Sequence, residues 1–414
     1  MKLIRFLIVS ALLFCWLGGF AQENICFSQR IKTLQVKPNG EWGEAPVTLL
    51  GRGHWMEISF DDLQANYQRY TYTVTHCNAN WEQSDLLQNE YMTGFNNQRI
   101  DDYEPAIGVE MNYCHYTLRL PNAENQLLVS GNYIVHIYED GEDEPIVQAC
   151  FSLLEPRVGV SIDVSSNTDI DTYERHQQVN FAVNYSGYPI SNVVSDLKYV
   201  VTQNRRWDNH VEDLRPTTMQ VNKLIFTHNR QLIFDAGNEY RRFEMLDEYV
   251  PTMHVDRMEY DGDYYNAFLY VDEQRTSYLY DKDQDGRYVV RTRDNVNNDT
   301  ESDYFLTHFS LEMPKVPDGE VYLFGDLTNN RYEEAYRMEY DLIDHRYNLV
   351  TPLKQGSYNY MYMYVRDGET VGQTLPCEGD FHQTENEYYV YVYHRPFGLR
   401  YDKLVGFQKT NYQE

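Results

Sequence analysis

The sequence predicts an all-β protein of three β-sandwiches in series, and three observations carry that prediction. The first is strict alternation. Tyr358, Tyr360, Tyr362 and Tyr364 fall on one side of an extended segment, and Asn359, Met361 and Met363 fall on the other, which is the period of two that a strand imposes. The second is composition: aromatic residues make up 15% of the chain, with 38 tyrosines, a residue suited to half-buried sheet faces. The third is turn chemistry. Asp-Gly pairs at 140–141, 261–262, 285–286, 318–319 and 367–368 tolerate the positive φ that tight hairpins require.

Taken in order, the chain opens with an export signal. Lys2 and Arg5 precede an apolar run from Phe6 to Leu17, and Gly19-Phe20-Ala21 places small residues at both cleavage-determining positions, so cleavage is expected between Ala21 and Gln22. The apolar run is shorter than the roughly 20 residues that a membrane-spanning helix needs, and no later segment is better suited. The first sandwich is expected over 22–155. Within it Gly131 to Tyr138 alternates as a strand, and Asp61-Asp62-Leu63-Gln64-Ala65 is a candidate short helix. Leu154-Glu155-Pro156 closes it, and Val158–Val164 begins a middle sandwich over 156–312. A proline-bearing joint, Leu311 to Gly319, then leads into Val321-Tyr322-Leu323-Phe324 and a last sandwich over 313–414. There a second short helix is a candidate after Asn330, and Tyr388–Tyr393 alternates again.

Charge and cysteine content narrow the function classes. Lys and Arg number 35 against 63 Asp and Glu, a net charge of −28 that becomes −30 once Lys2 and Arg5 are removed with the signal. Phosphate backbones and anionic lipid surfaces would be repelled, and a basic partner would not. Cys26, Cys77, Cys114, Cys150 and Cys377 follow the signal. In an oxidising compartment the first four could form two disulfides in any of three connectivities, leaving Cys377 over; buried free thiols are the other reading.

Motifs for chemistry are weak. Asp281-Lys282-Asp283-Gln284-Asp285-Gly286 matches half of a calcium loop, but Thr292 stands where the bidentate glutamate belongs, and a polar hairpin turn accounts for it. His76 and Cys77 are adjacent, yet strand neighbours point to opposite faces, which is poor geometry for a thiolate–imidazole pair. Gly51-Arg52-Gly53 begins like a dinucleotide loop but reaches Met56 at the third glycine position, and no phosphate-cradling loop or Gly-x-Ser-x-Gly elbow occurs. The reading is therefore non-enzymatic, with no cofactor and no metal. Two aromatic-polar clusters stand out instead: Thr75 to Trp81, and Gln203 to Asn209 followed by Gly237 to Phe243. Trp81, Arg206, Trp207 and Arg241 are the candidate partner-binding residues, because Trp and Arg dominate interface hot spots. The alternative is that each Trp fills a core and each Arg pairs with Asp208 or Glu239.

These clusters carry a resemblance. His76-Cys77-Asn78-Ala79-Asn80-Trp81, Tyr91-Met92-Thr93-Gly94-Phe95, Tyr113-Cys114-His115-Tyr116, Leu120-Pro121-Asn122, Ser130-Gly131-Asn132-Tyr133, Gln203 to Asp208, Gly237 to Arg241, Leu353 to Tyr360 and Glu378-Gly379-Asp380-Phe381 together resemble the plug protein family of the type IX secretion system, found in Bacteroidetes. The resemblance implies immunoglobulin-like and early-set β-sandwiches in a periplasmic protein. It also implies that this protein seals the periplasmic mouth of the outer-membrane translocon β-barrel by reversible docking, with no nucleic acid and no membrane insertion. Gly325 to Asn330 and Gly356 to Tyr362 further resemble early-set domains that bind glycogen or starch, although Arg331 stands where those place a Trp. A glycan-binding module, with Tyr358 and Tyr360 on its sugar face, is the alternative function.

Overall fold

The computed structural model describes residues 22–294 and 297–412; the expected signal lies outside them. The architecture is almost entirely strands, arranged as three pairs of sheets that each enclose a buried apolar cluster.

The first pair uses residues 22–155. One sheet runs in the order Ile31–Pro38, Met56–Asp62, Cys114–Leu120, Asp102–Pro105; the other runs Ile25–Cys26, Pro145–Leu154, Gly131–Glu139, Tyr70–Cys77, Gln98–Arg99. Met56, Ile58 and Phe60 meet Val74, Val135 and Ile137 between them, since alternate residues of each strand share one face. Asp61 and Asp62 complete the strand Met56–Asp62, so the candidate helix at 61–65 is absent. A strand ladder already uses that backbone. After Asn330 a single 3-10 turn, Glu334–Tyr336, forms.

The second pair is discontinuous in sequence. Gly159–Ser165, His176–Asn184, Lys223–Phe226 and Thr218–Gln220 form one sheet, and Leu197–Gln203, Asn386–His394 and Lys403–Tyr412 form the other. Val179, Phe181 and Val183 pack against Tyr199, Val201, Val390 and Val392. Residues between these two halves build the third pair. Arg241–Met245, Tyr288–Val290 and Gly319–Phe324 all pair with the long strand Gly356–Arg366. They cover a sheet ordered Val255–Tyr260, Tyr265–Leu269, Tyr304–Glu312, Arg346–Lys354, Glu339–Asp341. The insertion leaves and returns at one place, where Thr384 Oγ1 donates to the Gly237 carbonyl at 2.9 Å.

The cut at 313 does not agree with this arrangement. Strands before it pair with strands after it: Leu197–Gln203 with Asn386–His394, Arg241–Met245 with Gly356–Arg366, and Tyr304–Glu312 with Arg346–Lys354. The prolines at 314 and 317 mark a loop within one sandwich, not a linker.

Among the strands buried on both faces, two show how the pairs are fused. Tyr388, Val390 and Val392 point into the second core, while Tyr389, Tyr391 and Tyr393 point the other way into a cluster with Trp81, Trp207 and Cys150. In Gly356–Arg366, Tyr358, Tyr360 and Tyr362 enter the third core, and Met361 and Met363 join Tyr240 and Phe324 beneath the second pair. Of the five Asp-Gly pairs, Gly141, Gly262, Gly286 and Gly368 adopt positive φ. Gly319 instead starts a strand so close to Val365 that an added Cβ would lie 2.3 Å from that carbonyl oxygen.

Candidate functional site

The four candidate partner-binding residues all lie inside the molecule, and of them Trp81 and Trp207 meet. Trp81 and Trp207 pack edge to face with ring centroids 5.8 Å apart, 2% and 8% exposed respectively. Arg206 forms a two-pronged ion pair with Asp208 at 3.0 and 2.7 Å, donates to the Gly372 carbonyl at 2.8 Å and lies over the Phe324 ring. This is the predicted Asp208 brace, and it reaches further than expected because Tyr332 and the Gly372 N–H also bind Asp208. Arg241 does not pair with Glu239. Its partners are Glu378 at 2.9 Å and Asp272 at 2.7 Å, and its guanidinium sits over Tyr362. The partners of all four side chains lie within the chain: Trp81, Trp207 and Arg206 sit where sheet pairs meet, and Arg241 sits within the third pair. Exposed aromatic surface lies elsewhere, around the edge strand Val255–Tyr260, where Tyr249, Tyr260, Tyr264 and Tyr270 face solvent.

A second brace had no signal in the sequence. Asp61 and Lys354, 293 residues apart, pair at 2.8 Å with both side chains essentially fully buried. The His115 ring and the Tyr304 hydroxyl each lie 2.6 Å from the same carboxylate. Burial pushes the Asp61 carboxyl up, but Lys354 and His115 together hold it below the usual range. Burial lowers the Lys354 ammonium despite its partner. Asp303 adds a cap: it accepts the backbone N–H groups of Glu110 and Met111 at 2.7 and 3.1 Å. This cluster ties the first sheet pair to the third. Between the first and second pairs, Asp402 accepts the Ala79 N–H at 3.0 Å and pairs with Arg395 at 2.7 Å and Lys198 at 2.9 Å.

The calcium-loop residues are turned to internal partners. Asp281 holds Arg242 at 2.6 and 3.0 Å, Asp283 accepts the N–H groups of Tyr240 and Asp285, and Asp285 faces Arg287 at 3.4 Å. Burial, with Glu387 close to Asp285, raises both Asp283 and Asp285 above the usual carboxylate range. Among the described residues no group of three or more His, Cys, Asp or Glu side chains could hold a metal ion. His76 bonds Ser84 at 2.9 Å, away from Cys77. The five cysteines are all unpaired, which settles the thiol question in favour of free, mostly buried thiols. The proposed sugar face is corrected as well: Tyr358 and Tyr360 are 2% and 0% exposed, because the third core claims them.

Where the three sheet pairs meet there is a cavity of about 600 Å³. Trp42, Trp207, Tyr322 and Tyr332 line it together with the ion pair of Arg205 and Asp326 at 2.6 Å. The Trp42 ring is fixed by its N–H, which donates to the Tyr288 carbonyl at 2.6 Å.

Residues 31–155 match the family model described as the type 9 secretion system plug protein 1st domain. A solved structure described as a hypothetical protein from Parabacteroides merdae ATCC 43184 is 47% identical with a TM-score of 0.92, covering 95% of this chain and 99% of that one. The C-terminal domains of the Streptococcus agalactiae protein BspA and the Streptococcus pyogenes protein AspA, both of antigen I/II type, match at 8% and 7% identity. Each covers 92% of this chain, with 100% and 99% of their own length matched, and their TM-scores of 0.15 and 0.14 carry no argument. No curated protein matches. With the plug first domain in its first sheet pair and a whole-chain likeness to the Parabacteroides merdae structure, this chain belongs to the type 9 secretion system plug protein family.

Proposed function

We propose that the chain is a non-enzymatic periplasmic component of type 9 secretion that docks reversibly on the periplasmic mouth of the outer-membrane translocon β-barrel and seals it. The observation that carries this reading is the fusion of three sheet pairs into one body. Strands buried on both faces and the Asp61–Lys354 pair join the parts through buried contacts. A body that occludes a pore must keep its outline under load, and buried, interlocked elements resist deformation. The acidic surface suits reversible, electrostatically guided association over permanent burial.

The test is mild crosslinking in cells that secrete by this route, followed by affinity purification of the tagged chain. Recovery of a very large outer-membrane β-barrel, reduced while cargo occupies the barrel, is the expected outcome. Absence of any barrel from the crosslinked fraction overturns the reading.

A further inference from the structure

The cavity at the junction meets one strand edge-on. Its wall includes Leu34, Gln35, Val36 and Lys37 in unbroken succession, whereas a space lying against one face of a strand would touch alternate residues only. These residues belong to Ile31–Pro38, the outermost strand of its sheet. It pairs with Met56–Asp62 on one side and with no strand on the other among the described residues. The register shifts between Lys32 and Gln35, with Thr33 at φ 52°, and Pro38 closes the far end. The usable edge is therefore limited to the four residues that line the cavity. An unpaired edge of N–H and C=O groups is a template for another extended chain, and capture of a peptide as an added strand is a recurrent recognition mode.

Charge selects the occupant. Cations on the wall are already answered: Lys37 by Glu57 at 3.1 Å, Arg205 by Asp326 at 2.6 Å, Arg331 by Glu333 at 2.9 Å, and Arg287 by Glu387. Glu41 and Glu44 also line the cavity, are exposed, and take no ion-pair partner among the described residues. The uncompensated charge at the rim is negative. The aromatic wall of Trp42, Tyr322 and Tyr332 suits the alternate side chains that an added strand would turn toward it.

We propose that this cavity receives an extended polypeptide segment carrying a lysine or arginine, which adds as a strand to the edge at Leu34–Lys37 and sets its cation against Glu41 and Glu44. The proposal names partner chemistry for the docking role above and rests on that reading only for the biological source of the segment.

The test uses the purified chain lacking its signal and short synthetic peptides that alternate valine and threonine around a central lysine. Binding is followed by calorimetry and by hydrogen exchange of the segment containing Leu34–Lys37. The expected result is saturable binding of the lysine peptide with slowed exchange at that edge. The glutamate-centred peptide and maltotriose should bind at least about tenfold more weakly. Backbone N-methylation of alternate residues in one phase should abolish binding, and methylation in the other phase should spare it. The double variant E41Q/E44Q, at two exposed positions, should weaken the lysine peptide by roughly three- to tenfold, the scale of two exposed ion pairs. No binding, equal loss from both methylated phases, or tighter binding of maltotriose would each overturn the proposal. None of these outcomes bears on whether the barrel is recovered in the crosslinking experiment.

Discussion

At the scale of single residues, buried charge is the chain's main device for holding distant segments. Lys354→Met would take the ammonium away from Asp61 at zero exposure and leave that carboxylate to His115 and Tyr304, and losing one partner of a buried pair costs about 3–5 kcal/mol. The expected outcome is a large fall in the urea midpoint, with the double variant D61N/K354M recovering part of it; an unchanged midpoint would mean the pair is not what ties these sheets. His76 gives a pH prediction. Burial depresses its pKa to about 4, against the Ser130 carbonyl and the Asp402 carboxylate, which favour the charged form. The folded state refuses a proton that the unfolded state accepts below about 6.5, so the stabilising contribution is complete above pH 6.5 and is lost as pH falls toward 4. The full loss is roughly 3 kcal/mol. His76→Gln should flatten the acid limb of stability over that window, as read from melting temperature against pH.

At the scale of elements, the alternating strands were legible because a period of two is local: Gly131–Glu139, Gly356–Arg366 and Asn386–His394 lie where the pattern puts them. What covers the second face of a strand is not local. The sequence shows that Tyr389, Tyr391 and Tyr393 share a side, but only the fold shows that Trp81 and Trp207 bury that side. For the same reason the Trp and Arg clusters were visible as unusual, while their internal partners, Glu378 for Arg241 and Gly372 for Arg206, lie 137 and 166 residues away. Trp207→Ala should cost about 3–5 kcal/mol through the cavity it leaves between sheet pairs. Tyr249→Ala, at a side chain 78% exposed, should change stability by no more than about 0.5 kcal/mol. Thermal melts of the two variants side by side check this contrast. Gly131→Ala tests a close approach. Its φ is 133°, and an added Cβ would lie 2.5 Å from His76 Nε2 and 2.8 Å from the Asp402 carbonyl oxygen, so a marked drop in melting temperature is expected.

At the scale of the whole molecule, the order of sheets differs from the order of sequence. A simple series of sandwiches was expected because proline and composition shifts mark loops, and nothing in a loop tells whether the chain returns to an earlier sheet. Separately expressed fragments 22–312 and 313–414 should each lack a native sheet, since the cut divides three ladders. Circular dichroism and limited proteolysis of the separate fragments would show this, with cooperative folding of the shorter fragment alone as the contrary result. The interleaving also sets a timetable for folding as the chain emerges. Residues 22–155 hold all the strands of their own core and can collapse as soon as they emerge. Leu197–Gln203 must wait, exposed, for Asn386–His394, which arrives nearly 200 residues later. A half-finished sheet of this kind is the species most prone to mispairing. A newly made chain therefore depends on keeping that middle stretch unpaired until its last strands are through.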